Sequence, residues 1–346
     1  MLDSREKVGQ HDRKDMLGAI EHMPEHLLDG LRRGRVSGLP KFRPKDVVVC
    51  GMGGSAIGGH LLEEWLSTES EIPCLVCSSY SVPASVSKDS LVIVASYSGN
   101  TEETISMFEE AGKRRAKMVS IASGGRLAKM SEAAGVPVAT VPSGMMPRAS
   151  LGYLFGAMLG VLERSEVVDV EKQVRESVKV MGKTISCCKP SVQTSDNPAK
   201  MLAHQIFPCV PFVIGYDLSR PVAKRWANQL NENAKVLAHS SDLPEMDHNE
   251  IVGWMKDSRS RNYAPIFLDH DAKNRSMKKR VDATKSMLGR VTQVYSVGAS
   301  GQSSMAQMFS LISIGDYASV YLGVLRNEDP STNEAIDELK SILSEK

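Results

Sequence analysis

Cysteine is scarce in this chain, with six residues among 346. Their spacing gives neither the framework of a disulfide-rich protein nor the paired motifs of a zinc site. Cys74 and Cys77 form a CxxC pair, but they lie in a run predicted as a strand, where side chains three residues apart point to opposite faces. We therefore interpret both as core residues and predict no metal site.

An excess of charge of either sign is also lacking. Lysine and arginine (42) almost balance aspartate and glutamate (41), and the formal net charge is +1. Such a chain has no global field that would attract nucleic acid or an anionic membrane. The apolar run 151–162 is about half of the ~20 residues that a membrane span needs. The sequence predicts a cytoplasmic protein that binds neither nucleic acid nor membrane.

The length of 346 residues favours two domains of ordinary size. We predict a charged N-terminal helical arm over 1–43, a first domain over 44–188 and a second over 196–346, with a polar linker at 189–196. In the first domain, short apolar runs alternate with amphipathic ones, which is typical of a parallel sheet covered by helices on both faces. The predicted strands there are 47–51, 74–78, 91–96, 118–123 and 136–141.

The second half repeats this alternation less clearly. Its predicted strands are 211–215, 236–240, 265–269 and 291–297, and its predicted helices are 219–231, 272–288, 302–324 and 331–343. The fold class predicted is α/β, with two doubly wound, flavodoxin-like parallel-sheet domains. Ligands of open parallel sheets bind at the carboxyl ends of the strands. The loops after 47–51 and 91–96 are therefore the first places to seek a site.

The first of these loops, 51–59, is rich in glycine and leads from a strand into a helix. Glycines such as Gly53 and Gly54 let backbone N–H groups approach an anion, and the helix N-terminus adds partial positive charge. The loop also fits the dinucleotide fingerprint of a dehydrogenase, which predicts an acidic residue at the end of the next strand. That strand ends in Cys77-Ser-Ser-Tyr80 instead. We favour a phosphate cradle and predict no cofactor.

The second loop, 96–101, carries three hydroxyl side chains just before a helix. Asn100 and Glu103 have the spacing of a capping box. Hydroxyl donors and free N–H groups suit a phosphate monoester, although a lone loop of this kind is also an ordinary Ser/Thr-rich turn. Two such loops on neighbouring strands favour the phosphate site.

The segments MGGSAIG and SYSGNTEET resemble the SIS (sugar isomerase) domains of the bifunctional phosphoglucose/phosphomannose isomerases. The likeness runs from about Val47 to the C-terminus. It implies two SIS-type domains and a sugar phosphate held by Ser55, Ser96, Ser98 and Thr101. SIS domains include binding modules as well as enzymes, so an activity needs further residues.

Three other segments carry candidates for aldose–ketose chemistry, which needs a ring-opening group, a base and an oxyanion stabiliser. Arg148 starts a helix and suits an oxyanion because a guanidinium is always charged, but it also fits a surface ion pair. Glu232 lies between two asparagines that would orient it, although a solvated helix-end glutamate explains it equally well. His248 exchanges protons near neutral pH, or is structural. His248 and Glu250 form HxE without the other ligands of a zinc site.

The same family resemblance extends to these segments, PRA, NENAK and HNEI. It implies that Glu232 is the base, His248 the ring-opening residue and Arg148 the enediolate stabiliser, in a homodimer where His248 enters the partner's active site. It also implies that Thr332 lines the sugar pocket and that Lys340 assists ring opening. The chain departs from the family at 227–229, where Ala-Asn-Gln replaces a lysine and a second glutamate found in many members.

The resemblance implies metal-independent isomerisation of glucose 6-phosphate, and of mannose 6-phosphate, to fructose 6-phosphate. The alternative is a non-catalytic SIS-type regulatory protein that binds a sugar phosphate. That protein would need the two hydroxyl-rich loops but not Glu232, His248 or Lys340. No DNA-binding helix-turn-helix pattern or basic tail is apparent in the sequence, which counts against a regulatory protein.

Overall fold

A computed structural model describes residues 1–39, 41–272 and 274–344. Pro40 of the predicted arm, Lys273 of a predicted helix and residues 345–346 of the predicted second domain lie outside the described residues. The chain forms two compact units. The first-sheet unit contains Glu21–Gly182 and Ser300–Phe309, and the second-sheet unit contains Met1–Ile20, Lys183–Ala299 and the chain from Ser310 onward. The domain boundaries inferred from the sequence stay a prediction.

The first-sheet unit is built on five parallel strands in the order β2-β1-β3-β4-β5. This is the flavodoxin-like order. Every residue of the two central strands β1 and β3 is buried, which explains why their sequences are continuous apolar runs. The strands are β1 (Asp46–Cys50), β2 (Cys74–Cys77), β3 (Ser90–Ala95), β4 (Lys117–Ala122) and β5 (Val138–Thr140).

Helices connect these strands and cover the sheet. They are α3 (Met23–Gly34), α4 (Gly53–Glu69), α5 (Glu102–Lys113), α6 (Gly125–Ala133), α7 (Leu151–Arg164) and most of α8 (Glu171–Cys188), while α1 (Arg5–Gly9) and α2 (Met16–Glu21) precede α3. Helix α3 packs closely along α7. A Cβ at Gly156 of α7 would lie 2.4 Å from the Leu27 carbonyl oxygen, so only glycine allows the backbones to come this close. The last helix within the predicted arm, α3, is thus part of the first-sheet unit.

The second-sheet unit contains four parallel strands in the order β7-β6-β8-β9, which repeats the order of the first sheet without its fifth strand. The strands are β6 (Val210–Tyr216), β7 (His239–Leu243), β8 (Tyr263–Asp269) and β9 (Tyr295–Gly298). The predicted architecture of two parallel α/β sheets is confirmed. The predicted strand 236–240 is wrong by three residues, because Val236 and Leu237 lie in the turn after a helix and Leu237 is 66% exposed.

The helices of this unit are α1, most of α2, the end of α8, α9 (Pro198–Ile206), α10 (Arg220–Ala234), α11 (Glu250–Lys256), α12 (Arg275–Leu288) and α14 (Glu334–Ser344), with α13 (Ser304–Leu325) shared between the units. Helices α9 and α11 were not predicted. Among the described residues α13 alone has the length and composition of a membrane span. Its most apolar 18-residue window is 94% buried and the helix carries the buried Asp316, as the core helix of a soluble protein does.

The N-terminus is attached to the second-sheet unit by a buried lysine. The Lys200 side chain has no solvent exposure. Its Nζ donates to the Asp3 carboxylate (2.8 Å) and to the carbonyl oxygens of Pro190 (2.8 Å) and Val192 (2.5 Å). The Thr194 hydroxyl also donates to Asp3, at 2.8 Å. The hydrogen bond from Lys200 is the main reason that the pKa of Asp3 lies below its ordinary value.

Asp3→Asn should therefore lower thermal stability at neutral pH and have less effect in acid. A carboxyl group whose pKa is lowered in the folded state stabilises the fold above its ordinary pKa of about 3.9, and this stabilisation is lost as the pH falls through the folded value. Protonated Asp3 then resembles asparagine. Melting temperatures of both proteins, followed from neutral pH downward, should converge. A difference that stays constant over this range would show that the charge of Asp3 does not contribute.

Candidate active site

The glycine loop after β1 brings two predicted segments together in the first-sheet unit. Helix α4 begins at Gly53, whose φ is +52°. A Cβ at Gly54 would lie 2.8 Å from the Pro147 carbonyl oxygen and 3.4 Å from the Arg148 nitrogen. The short 3₁₀ turn Pro147–Ala149 therefore packs directly against the start of α4. Arg148 in this turn is only 3% exposed. The turn that contacts the glycine loop therefore carries a buried guanidinium.

The hydroxyl-rich loop after β3 is tied together by its own side chains. Ser96 Oγ and Thr101 Oγ1 lie 2.9 Å apart, and the Gly99 N–H donates to Ser96 Oγ at 3.1 Å. The Asn100 N–H donates to Ser98 Oγ at 3.3 Å. Ser96 is buried, whereas Ser98 is exposed. The loop thus presents an exposed hydroxyl on a fixed backbone.

Thr101, not Asn100, is the N-cap residue of α5, so the predicted capping box is wrong. The Asn100 side chain instead accepts a hydrogen bond from the Arg126 N–H at 3.0 Å. Neither α5 nor α4 has a side-chain cap, whereas Asn197 and Asn274 cap α9 and α12. The first N–H groups of an uncapped helix are available to an anion.

The two loops follow neighbouring strands of the first sheet. β1 and β3 are parallel, and Cys50, the last residue of β1, pairs with Val94, the last but one of β3. The glycine loop (51–59) and the hydroxyl-rich loop (96–101), together called the cradle loops, therefore leave the same edge of the sheet. Ser55 lies in the first turn of α4 and is 5% exposed. Two uncapped helix starts, hydroxyl groups and an arginine turn form an arrangement that suits a phosphoryl group.

The second sheet does not repeat this serine-rich edge. Tyr216 ends β6, and its ring stacks on His270, just after β8, with ring centres 4.4 Å apart. Burial raises the pKa of Tyr216 to about 12 and lowers that of His270. Asp269 accepts hydrogen bonds from Lys285 Nζ at 2.6 and 2.8 Å. This edge of the second sheet therefore presents two neutral rings and a carboxylate paired with a lysine, which are not groups that bind a phosphate well.

A cavity of about 640 Å³ in the second-sheet unit contains two of the predicted site residues, Glu232 and Thr332. Glu232 lies in the last turn of α10, and Thr332 lies just before α14. Lys235 joins the two segments, since its Nζ donates to the carbonyl oxygens of Glu232 (2.5 Å) and Thr332 (2.9 Å). The structure thus places the predicted base and the predicted sugar-pocket residue in one cavity.

The two asparagines beside Glu232 fix the end of α10. Asn231 Nδ2 donates to the carbonyl oxygens of Ala227 (2.8 Å) and Ala238 (2.9 Å), which spans the turn into β7. Asn233 Nδ2 donates to Ser319 Oγ of α13 at 2.9 Å. These bonds hold the backbone on both sides of Glu232, which is partly buried. The amides therefore position the residue through the main chain.

His248 and Lys340 do not line the Glu232 cavity. His248 is exposed at the end of a 3₁₀ turn, Glu245–His248. The turn is anchored by the buried Met246 and by Asp247, which accepts hydrogen bonds from Thr284 Oγ1 (2.9 Å) and Arg280 Nη1 (3.3 Å). Lys340 is exposed on α14. The roles of both residues stay predictions.

Several residues of the cavity were not predicted. Arg13, from the N-terminal segment, lines it beside Asn327 and Glu328. No motif marked these positions in the sequence; only the neighbouring Asp329 belonged to a segment with a family likeness. Within residues 1–39, 41–272 and 274–344, no group of three or more histidine, cysteine, aspartate or glutamate side chains is arranged to hold a metal ion.

Comparison with known proteins identifies two regions of the chain. Residues 42–134 match the SIS domain, and residues 195–343 match the bacterial phospho-glucose isomerase C-terminal SIS domain. The structure is similar to that of a hypothetical protein from Thermus thermophilus, with a TM-score of 0.74, 16% sequence identity, and coverage of 98% of this chain and 92% of that one. At this identity the likeness concerns the fold alone.

Two relatives carry the same functional name. The chain is 37% identical to the bifunctional phosphoglucose/phosphomannose isomerase of Caldicellulosiruptor bescii, over 95% of this chain and 99% of that protein. It is 33% identical to that of Aquifex aeolicus, over 86% of this chain and 90% of that protein. The resemblance noted in the sequence therefore holds over nearly the whole length of these relatives, and the chain belongs to the bifunctional phosphoglucose/phosphomannose isomerase family.

Proposed function

We propose that the protein reversibly isomerises glucose 6-phosphate, and mannose 6-phosphate, to fructose 6-phosphate without a metal ion. The observation that carries this proposal is the shared cavity of Glu232 and Thr332, whose walls are held by Lys235. A sugar-binding regulator needs no carboxylate in such a place. An isomerase needs one within reach of a carbon-bound proton.

The phosphoryl group is bound by the cradle loops of the first-sheet unit. The uncapped starts of α4 and α5 supply N–H donors, and the loop side chains supply hydroxyl donors. The residues assigned to this role are Gly53, Gly54, Ser55, Ser96, Ser98 and Thr101. The buried turn of Arg148 against Gly54 places a permanent cation beside this loop, and its guanidinium stabilises the negative charge of the enediolate.

Glu232 moves one proton between adjacent carbons. In the open-chain aldose, its carboxylate removes the proton from C2, and the electron pair of that bond forms the C1–C2 double bond of a cis-enediolate. A proton then shifts from O2 to O1, which moves the negative charge to O2, and return of the first proton to C1 gives the ketose. Rotation about C2–C3 before return to C2 gives the other epimer, and the small side chain of Thr332 leaves room for it. His248 and Lys340 open the ring by transferring the anomeric hydroxyl proton to the ring oxygen.

The proposed active form is a cytoplasmic homodimer in which His248 enters the partner's site. Its support is that His248 is exposed on an anchored turn and is absent from the cavity wall of Glu232. Sedimentation equilibrium should give twice the chain mass. A protein that is active as a monomer would exclude the exchange of His248 between subunits.

A coupled spectrophotometric assay on glucose 6-phosphate and on mannose 6-phosphate tests the proposal. We expect both substrates to be converted to fructose 6-phosphate at rates that excess chelator does not change. Loss of activity in chelator, restored by a divalent cation, would contradict the metal-independent mechanism. Tight binding of both sugar phosphates without turnover would show the regulatory protein instead.

A further inference from the structure

The turn formed by residues 12–15 at the N-terminus has a fixed conformation. The Asp12 carboxylate is buried and accepts hydrogen bonds from the backbone N–H groups of Met16 (2.7 Å) and Leu17 (2.8 Å). Met16 and Leu17 are themselves buried. These contacts hold the turn in the second-sheet unit, so the side chain that follows Asp12 projects from a rigid base.

That side chain is Arg13, which lines the cavity of Glu232 and Thr332. Its Nε lies 3.8 Å from Asp329 Oδ2, too far for a hydrogen bond, and the side chain is 79% exposed. Asp329 is held in place by the backbone N–H of Ser331 at 2.8 Å and by the Ser331 hydroxyl. Among the described residues, the guanidinium of Arg13 makes this ion pair and no hydrogen bond, so its donors are available.

Carboxylates outnumber cations on the wall of this cavity. Among the residues that the structure describes, four acidic side chains and two basic ones line it: Glu232, Glu328, Asp329 and Glu334 against Arg13 and Lys235. The Lys235 ammonium already donates to two carbonyl oxygens. A doubly charged sugar phosphate is repelled by such a wall unless a cation compensates. Of the two basic side chains described on this wall, Arg13 is the one that can do so with uncommitted donors.

We propose that Arg13 is a substrate-binding residue of this cavity: its guanidinium donates hydrogen bonds to oxygen atoms of the bound sugar phosphate and offsets the negative wall. The inference rests on the proposed function, because it assigns the sugar to the Glu232 cavity. It gives the N-terminal segment a role in the site, which the sequence did not indicate. An interaction made alike with substrate and transition state affects KM and leaves kcat nearly unchanged.

The test compares Arg13→Ala with Lys14→Ala, since Lys14 is an exposed cation of the same turn that does not line the cavity. Arg13→Ala should raise KM for glucose 6-phosphate by about tenfold, as expected when a charge-assisted hydrogen bond to the bound substrate is lost, with kcat within about twofold. Lys14→Ala should leave KM within about twofold of the wild-type value. Arg13→Lys should recover part of the loss. Equal unfolding midpoints would verify that the variants are folded.

Calorimetric titration with fructose 6-phosphate separates this inference from the proposed function. If the protein binds the sugar phosphate but shows no turnover, the proposed function fails, while a weaker affinity of Arg13→Ala relative to Lys14→Ala still supports Arg13 as a binding residue. Equal affinities and equal KM values for the two alanine variants would overturn the inference. A loss in kcat without a change in KM would also contradict it.

Discussion

Replacing Glu232 by glutamine is expected to lower turnover of glucose 6-phosphate by about 10²–10⁴-fold while substrate binding is retained. Glutamine has the shape of glutamate but cannot accept the proton from C2. The contacts that shape the surrounding wall involve the backbone carbonyl oxygen of Glu232, which accepts from Lys235, and the flanking amides of Asn231 and Asn233. The substitution does not remove these groups, so the cavity should keep its form.

Two measurements separate the base from a binding residue. A base variant lowers kcat and leaves the affinity for fructose 6-phosphate near the wild-type value, whereas a binding variant changes the affinity. Exchange of the substrate's C2 proton with solvent deuterium should fall with kcat, because the same carboxylate carries that proton. An exchange rate that survives in the glutamine variant would assign proton transfer to another group.

The cavity provides matched controls. Glu328 and Glu334 line it too, so Glu328→Gln and Glu334→Gln remove the same charge from the same wall. We expect each of these variants to keep turnover within a few fold of the wild-type value. A large loss in all three variants would show that the cavity needs its negative charge rather than a base at Glu232. A glutamine variant of Glu232 with nearly wild-type turnover would exclude it from the mechanism.

The first sheet could be predicted well because its central strands are buried on both faces. β1 and β3 have no exposed position, and their apolar runs are bounded by glycine and hydroxyl-rich loops. β7 could not be placed in this way. It consists of the polar residues His239-Ser-Ser-Asp followed by Leu243, whereas the apolar Val236 and Leu237 just before it lie in a turn. A prediction based on the hydrophobic pattern alone therefore placed this strand three residues too early.

The cavity of Glu232 illustrates what a local pattern can and cannot indicate. Glu232 and Thr332 are a hundred residues apart, and only the family likeness of their segments connected them before the structure did. Arg13 had no comparable signal, since its segment is charged throughout and its position depends on the burial of Asp12. The prediction of a capping box at Asn100 was wrong for a similar reason. The Asn100 side chain accepts a hydrogen bond from the Arg126 N–H, a group distant in the sequence.

Loss of the Asp316 carboxylate is expected to be the most destabilising change in the second-sheet unit. Arg225 on α10 donates to Asp316 on α13 through Nε to Oδ1 (3.1 Å) and Nη2 to Oδ2 (2.6 Å). Their side chains are 2% and 1% exposed. Asp316→Ala removes this carboxylate from the buried guanidinium, and loss of one member of a buried ion pair typically costs about 3–5 kcal/mol of folding free energy. Urea denaturation followed by tryptophan fluorescence, to which Trp226 on α10 contributes, would measure this loss of stability.

The double variant Arg225→Met with Asp316→Leu distinguishes stability from positioning. Two apolar side chains of similar volume remove both buried charges, so the free energy of unfolding should return to near the wild-type value or above it. A double variant that stays less stable than the wild type would show that the ion pair contributes more to the fold than the cost of burying its charges. Arg225 lies two turns before Glu232 on the same helix, α10. Trp226 also joins α10 to α13, because its Nε1 donates a 3.0 Å hydrogen bond to the Leu311 carbonyl oxygen. A stable double variant with lowered kcat and unchanged KM would therefore show that the ion pair sets the register of the helix that carries the base. Full activity would limit the pair to stabilising the fold.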